Sequence, residues 1–207
     1  MSIKNYDELN PMHIDVLKEL GNIGSGNAAT AISAMLGKEV EMTVPAVSVL
    51  DYTKAIDFLG GPENIVVGML VRITGDIEGM IMFILQKPFA RAVLKTFFGH
   101  EEIDMMALGE NEASAIREIG NIMAASYVNA LSQISGRMIN ISVPSLTVDM
   151  LGAIMSVPAI EFGAVSDQVL FIDGTFILDN QSIKSNMILI PEINSLTSLL
   201  SSLGVDI

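Results

Sequence analysis

Two sets of polar residues have the types and the spacing to do chemistry together. Asp15, Glu19 and Asn22 stand at i, i+4 and i+7, and Ser114, Glu118 and Asn121 repeat that spacing. At about 100° per residue, each set falls within an arc of roughly 60° on a helix. Val16, Leu17, Leu20 and Ile23 lie opposite the first set, and Ala115, Ile116, Ile119 and Ile122 opposite the second. Each helix is therefore amphipathic with a chemically specific outer face. A carboxamide there accepts from a water while donating nearby, and it stays neutral beside anions. Asn is also a poor helix-interior residue, so using it twice on an outer face costs stability with no packing return. A single Glu-x-x-Asn on an exposed face is ordinary solvation. Recurrence separates this case, because other exposed positions have drifted, as at Glu39/Met138 and Glu41/Asn140.

Other chemistries find little support. The 207 residues include no Cys, which removes disulfides, thiolate nucleophiles and thiolate metal sites, and fits a reducing compartment. His13 and His100 are the only histidines; neither has a metal-like companion at i+3 or i+4, and no Ser-His-Asp arrangement is apparent. Gly21-Asn-Ile-Gly24-Ser-Gly26 suggests a phosphate loop, but no strand precedes it. The second copy replaces Gly24, Ser25 and Gly26 with Met123, Ala124 and Ala125, so helix packing is the better reading. A net charge of -13 disfavours nucleic acid, which needs a dense cationic surface. Half the residues are hydrophobic and the mean hydropathy is +0.51, which excludes disorder. The apolar runs Ile65 to Val71 and Met80 to Leu85 fall far short of the roughly 20 residues a membrane helix needs. The first residues carry no signal-peptide pattern, and the expected location is the cytoplasm. The fourteen Met are read as packing residues, a minority of them as an adaptable partner surface.

The two polar sets belong to a longer repeat. Asp15–Val47 aligns without a gap to Ser114–Leu146, 99 residues further on. Glu19, Gly21, Asn22, Ile23, Ala31, Ser33, Gly37, Val44 and Pro45 recur as Glu118, Gly120, Asn121, Ile122, Ala130, Ser132, Gly136, Val143 and Pro144. The elements that must position the polar faces follow the same order twice. A long helix over Pro11–Leu36, closed by Gly37, leads to a strand over Glu39–Leu50 and a short helix over Thr53–Leu59. Strands at Asn64–Thr74 and Ile77–Gln86, joined by a tight Gly75-Asp76 turn, precede a helix from Pro88 to Phe98. The second half predicts a helix over Glu110–Ser135, a strand over Arg137–Asp149, a short helix near Leu151, strands at Gln168–Leu178 and Ser182–Ile190, and a closing helix after Pro191. The expected class is α+β by internal duplication: one domain over 1–207, with repeats of about 10–99 and 110–204 meeting at His100–Gly109. Neither half alone buries its sheet well, so the two share one antiparallel or mixed sheet under pseudo-two-fold symmetry, with the long helices exposed on one face.

The pattern [Asp/Ser]-x3-Glu-x2-Asn-x22-Pro, present as Asp15, Glu19, Asn22, Pro45 and as Ser114, Glu118, Asn121, Pro144, closely resembles the signature of the CheC/CheX/FliY phosphatases of bacterial and archaeal chemotaxis. The resemblance spans the chain. Two intact copies are similar to the two-site members, and this length leaves no residues for the C-terminal flagellar-switch domain of FliY. The resemblance implies hydrolysis of the aspartyl phosphate of the response regulator CheY, and binding to the receptor deamidase CheD. An acyl phosphate needs little covalent help, only a water held in line with the P–O bond while a metal and a cation neutralise charge. Mg²⁺ and a Lys are expected from CheY, and no cofactor is expected in this chain. Asn22 and Asn121 are then assigned water positioning, and the family comparison gives Glu19 and Glu118 a contact to the partner's Lys. Asp15 and Ser114 would support the interface, and Pro45 and Pro144 would shape the strand edge.

A rival reading is a non-catalytic adaptor that binds and inhibits CheD in response to phosphorylated CheY. A pure adaptor has no reason to keep both Glu and both Asn, so the enzyme is favoured. A third reading, a small-molecule-binding domain, lacks an identifiable polar constellation. The expected partners are phosphorylated CheY and CheD, with neither nucleic acid nor membrane insertion, and the chain is expected to be a monomer.

Overall fold

The structure, a computed structural model, describes residues 3–43, 45–99, 102–162 and 167–205. Val44 and His100, both named above, lie outside them. The first long helix, α1 (Pro11–Leu36), starts where Asn10 caps it: the Asn10 side chain accepts from the His13 amide at 3.0 Å, and His13 Nδ1 accepts from the Asn10 amide at 3.2 Å. The His13 side chain that completes the cap is buried, at 3% exposure, while Asn10, Pro11 and Met12 stay exposed. Helix α4 (Glu110–Ser135) begins with the Glu112 carboxylate accepting the Gly109 amide at 2.6 Å. Both helices stop at a left-handed glycine, Gly37 (φ 62) and Gly136 (φ 67).

Each strand expected after a long helix is two strands. β1 (Val40–Met42) and β2 (Ala46–Asp51) replace Glu39–Leu50, while β5 (Ile139–Ile141) and β6 (Ser145–Met150) replace Arg137–Asp149. Pro45 and Pro144 have no amide to give the ladder, so the pairing breaks before them. It resumes one residue out of step. Met42 faces Phe176 and Ala46 faces Asp173; Ile141 faces Ile73 and Ser145 faces Leu70. Three residues thus oppose two in each half, which is a β-bulge in the same place twice.

The first hairpin, β3 (Ile65–Gly75) and β4 (Gly79–Leu85), is linked by Asp76–Glu78 rather than by a two-residue turn. Ile77 is 2% exposed, so burying it takes up the longer connection. In β7 (Gln168–Leu178) and β8 (Gln181–Pro191) the turn is Asp179-Asn180 with φ of 50 and 60, a left-handed pair suited to a tight hairpin. Helices α2 (Tyr52–Phe58), α3 (Lys87–Phe98) and α6 (Ile193–Ser202) fall where expected, whereas α5 (Leu151–Phe162) is longer than the short helix the sequence suggests. Gly68 makes room for it, since a Cβ there would lie 2.7 Å from Ile154 Cγ2.

All strands pair antiparallel in one curled sheet. Its order, β1/β2–β7–β8–β4–β3–β5/β6, gives each half's first strands to the other half's hairpin. One lateral row, Val47–Ile172–Met187–Phe83–Met69–Leu146, reads the same from either end under the repeat. Phe83 and Met187 are equivalent residues paired to each other, so the pseudo-two-fold axis passes between them. α1, α3, α4 and α6 close the larger core on one face, and α2 and α5 a second core on the other.

Candidate functional site

The first layer of the site is the outer surface of α1 and α4. Asp15, Glu19, Ser114 and Glu118 are exposed, and Asn22 and Asn121 are half-buried at the foot of each polar arc rather than fully solvent-facing. Leu17, Leu20, Ile116 and Ile119 fill the core behind them. Among the described residues none of these six polar side chains is engaged in a hydrogen bond or ion pair within the chain. A half-buried carboxamide with no intramolecular partner keeps its acceptor and both donors for something outside.

The residue before each Asn is a glycine, and both glycines lie against packed side chains. A Cβ on Gly21 would stand 3.2 Å from Pro45 Cγ, so the Pro45 ring lies directly beside the turn that carries Asn22. A Cβ on Gly120 would fall onto the thioether of Met69, a fully buried residue of the lateral row. Gly21 and Ile172, the equivalents of Gly120 and Met69, line one small cavity of about 20 Å³. Pro45 and Pro144 are both buried, and in the first half the proline braces the motif helix as well as interrupting the strand.

The two motif helices also hold each other. Tyr127 of α4 lies over Gly24 of α1, where an added Cβ would be 2.6 Å from the Tyr127 ring and 3.1 Å from its Cα. The Tyr127 and Ser25 hydroxyls share a buried hydrogen bond of 2.6 Å, and burial pushes the Tyr127 phenol above its ordinary pKa. Reading Gly24 as a packing glycine therefore stands. Tyr127 and Ser25 were missed; the available signal was that Tyr127 stands against Ala28 in the repeat, a large difference in size between equivalent positions.

None of the four Glu and Asn side chains lines the roughly 520 Å³ cavity bordered by Arg72, Glu78, Glu161 and Glu192. They stand on an open helical face. Such a face cannot engulf a small molecule, and it lies open to a macromolecular surface. Among the described residues no group of three or more His, Asp or Glu side chains is placed to hold a metal ion.

Proteins of known structure share this α+β fold. The solved structure of FliY from Thermotoga maritima superposes with a TM-score of 0.75 at 25% identity, covering 95% of this chain and 98% of that one. The profile of the CheC-like family matches residues 12–49 and 112–148, the two motif helices with the strands after them. The Bacillus subtilis protein named CheY-P phosphatase CheC is 31% identical over 98% of this chain and 99% of its own length. The flagellar motor switch phosphatase FliY of the same organism is 30% identical over 69% of this chain and 37% of its own length. The chain belongs to the CheC-like family.

Proposed function

We propose that this protein is a phosphatase that hydrolyses the aspartyl phosphate of the chemotaxis response regulator CheY, with a site on each motif helix. The observation that carries the reading is the pair of exposed Glu-x-x-Asn faces, each with a half-buried Asn that makes no hydrogen bond within the chain among the described residues. In the reaction, a water oxygen bonds to phosphorus as the bond to the aspartyl oxygen breaks, releasing inorganic phosphate and returning the carboxylate. Asn22 or Asn121 accepts a hydrogen bond from that water and holds it in line, as a Gln does in GTPases. The metal and the lysine that neutralise charge belong to CheY. Glu19 and Glu118, one turn away on the same face, meet that lysine and set the docking register. Asp15 and Ser114 extend the contact.

An open face suits this division of labour, because the partner supplies the pocket and this chain supplies the oriented group. Binding to CheD, with consequent control of adaptation, belongs to the same proposal, and the chain acts as a monomer in the cytoplasm. The test is phosphate release from phosphorylated CheY, with and without CheD. Acceleration over the spontaneous rate supports the enzyme, whereas binding of CheD with no acceleration would support the adaptor.

A further inference from the structure

Most residues identical in the two repeats have visible structural work. Gly21 and Gly120 lie against packed side chains, and Gly37 and Gly136 end helices in the left-handed region. The Ser33 hydroxyl bonds the Val40 backbone and the Ser132 hydroxyl the Arg137 carbonyl. Ala130 is fully buried, and Pro45 and Pro144 are buried. Glu19 and Glu118 have no such work, and neither has Val143, which is 81% exposed.

A lone exposed valine is ordinary on a protein surface. This one recurs as Val44–Pro45 and Val143–Pro144, while its neighbours change from Thr43 to Ser142 and from Ala46 to Ser145. It also sits in the bulge. Ser142 fastens the loop to β3, its amide donating to the Arg72 carbonyl at 3.0 Å and its hydroxyl accepting the Arg72 amide at 3.0 Å. Thr43 makes the equivalent amide bond to Thr175 at 3.0 Å. The residue before a proline is confined to extended backbone, and with Pro144 turned inward Val143 is turned out. Pro45 lies beside the turn that carries Asn22, and β5 and β6, which flank the Val143 loop, pack against α4, the helix that carries Asn121.

We propose that the bulge valine is an apolar contact for the response regulator, seating it beside the water-positioning Asn. This rests on the function proposed above. A docked partner surface would cover the valine, giving affinity through the hydrophobic effect where Glu gives it through charge. The bulge then has a functional reason: it turns one side chain at the sheet edge outward.

The test uses the full chain carrying Asn22→Ala, so that only the second site turns over, with CheY phosphorylated as substrate and KM as the readout, because the first site still docks CheY. Val143→Asp should raise KM about tenfold, a loss of about 1.4 kcal/mol, with kcat and Tm unchanged. Val143→Ile should stay within twofold. Ile160→Asp, at an equally exposed apolar residue (83%) on the helix layer across the sheet, should change neither constant. A KM for Val143→Asp within twofold of the parent would overturn the inference while leaving the Asn chemistry intact. Turnover that persists in Asn22→Ala/Asn121→Ala would instead overturn the proposed function, a separate and distinguishable failure.

Discussion

At the scale of single residues, the proposal divides docking from chemistry within three positions of one helix. If Glu19 and Glu118 meet a lysine on the partner, Glu19→Gln/Glu118→Gln should raise the Kd for CheY bearing a phosphoryl mimic. The effect should be larger at low salt, where an exposed charge pair is least screened. Asn22→Ala/Asn121→Ala should leave that Kd within about twofold, because the water-orienting bond is realised mainly in the transition state. Titrations at two ionic strengths, alongside single-turnover dephosphorylation, separate the two. Equal affinity losses, or a Glu→Gln effect without salt dependence, would reduce the face to generic binding. The positions of these side chains were readable because Asp15, Glu19 and Asn22 share a helical arc whatever the tertiary context. The partial burial of Asn22 and Asn121 was not, since it depends on what flanks the helix.

At the scale of elements, the two motif helices are one unit. Gly24→Ala gains about 1 kcal/mol of helix propensity but drives a methyl into the Tyr127 ring and backbone, where overpacking costs typically 1–3 kcal/mol. The expected outcome is a lower midpoint in urea, with α1 and α4 displaced; a higher midpoint would show that the helices have slack. Here the sequence was legible only in part. Helix ends followed from Pro11 and Gly37, which act locally, and alternation of Val40 and Met42 revealed a strand. The bulge did not emerge, because a one-residue slip in pairing is decided by the partner strand, and β1 and β2 pair with β7, more than a hundred residues away. Nor did the exchange of first strands between halves. Both follow from a sheet whose symmetry axis passes between Phe83 and Met187, a long-range fact that no local pattern encodes.

At the scale of the whole molecule, all three tyrosines are held protonated by burial: Tyr6 and Tyr127 above the ordinary value, and Tyr52 pushed up to about 12. Tyr6 also donates to the Pro191 carbonyl at 2.6 Å, tying the first residues to the end of β8. Between the ordinary phenol value near 10 and the raised folded values, the unfolded chain loses protons that the native state keeps, so stability falls as pH rises through that window. Chemical denaturation from pH 9 upward should show the decline, and Tyr127→Phe should make it shallower while Tyr6 and Tyr52 sustain the rest; a flat profile in the parent would contradict the burial of these groups. Under the proposed function the duplication gives two sites on one scaffold, which should act independently. The measurement that bears most directly on this is phosphate release from phosphorylated CheY by the parent, Asn22→Ala, Asn121→Ala and the double variant, with folding checked by circular dichroism. Each single change should remove part of the acceleration. The double change should lower it by about a hundredfold or more, the order seen when an oriented transition-state hydrogen bond is lost, with the chain still folded. A double variant that is folded and turns over at the parent's rate would contradict the account.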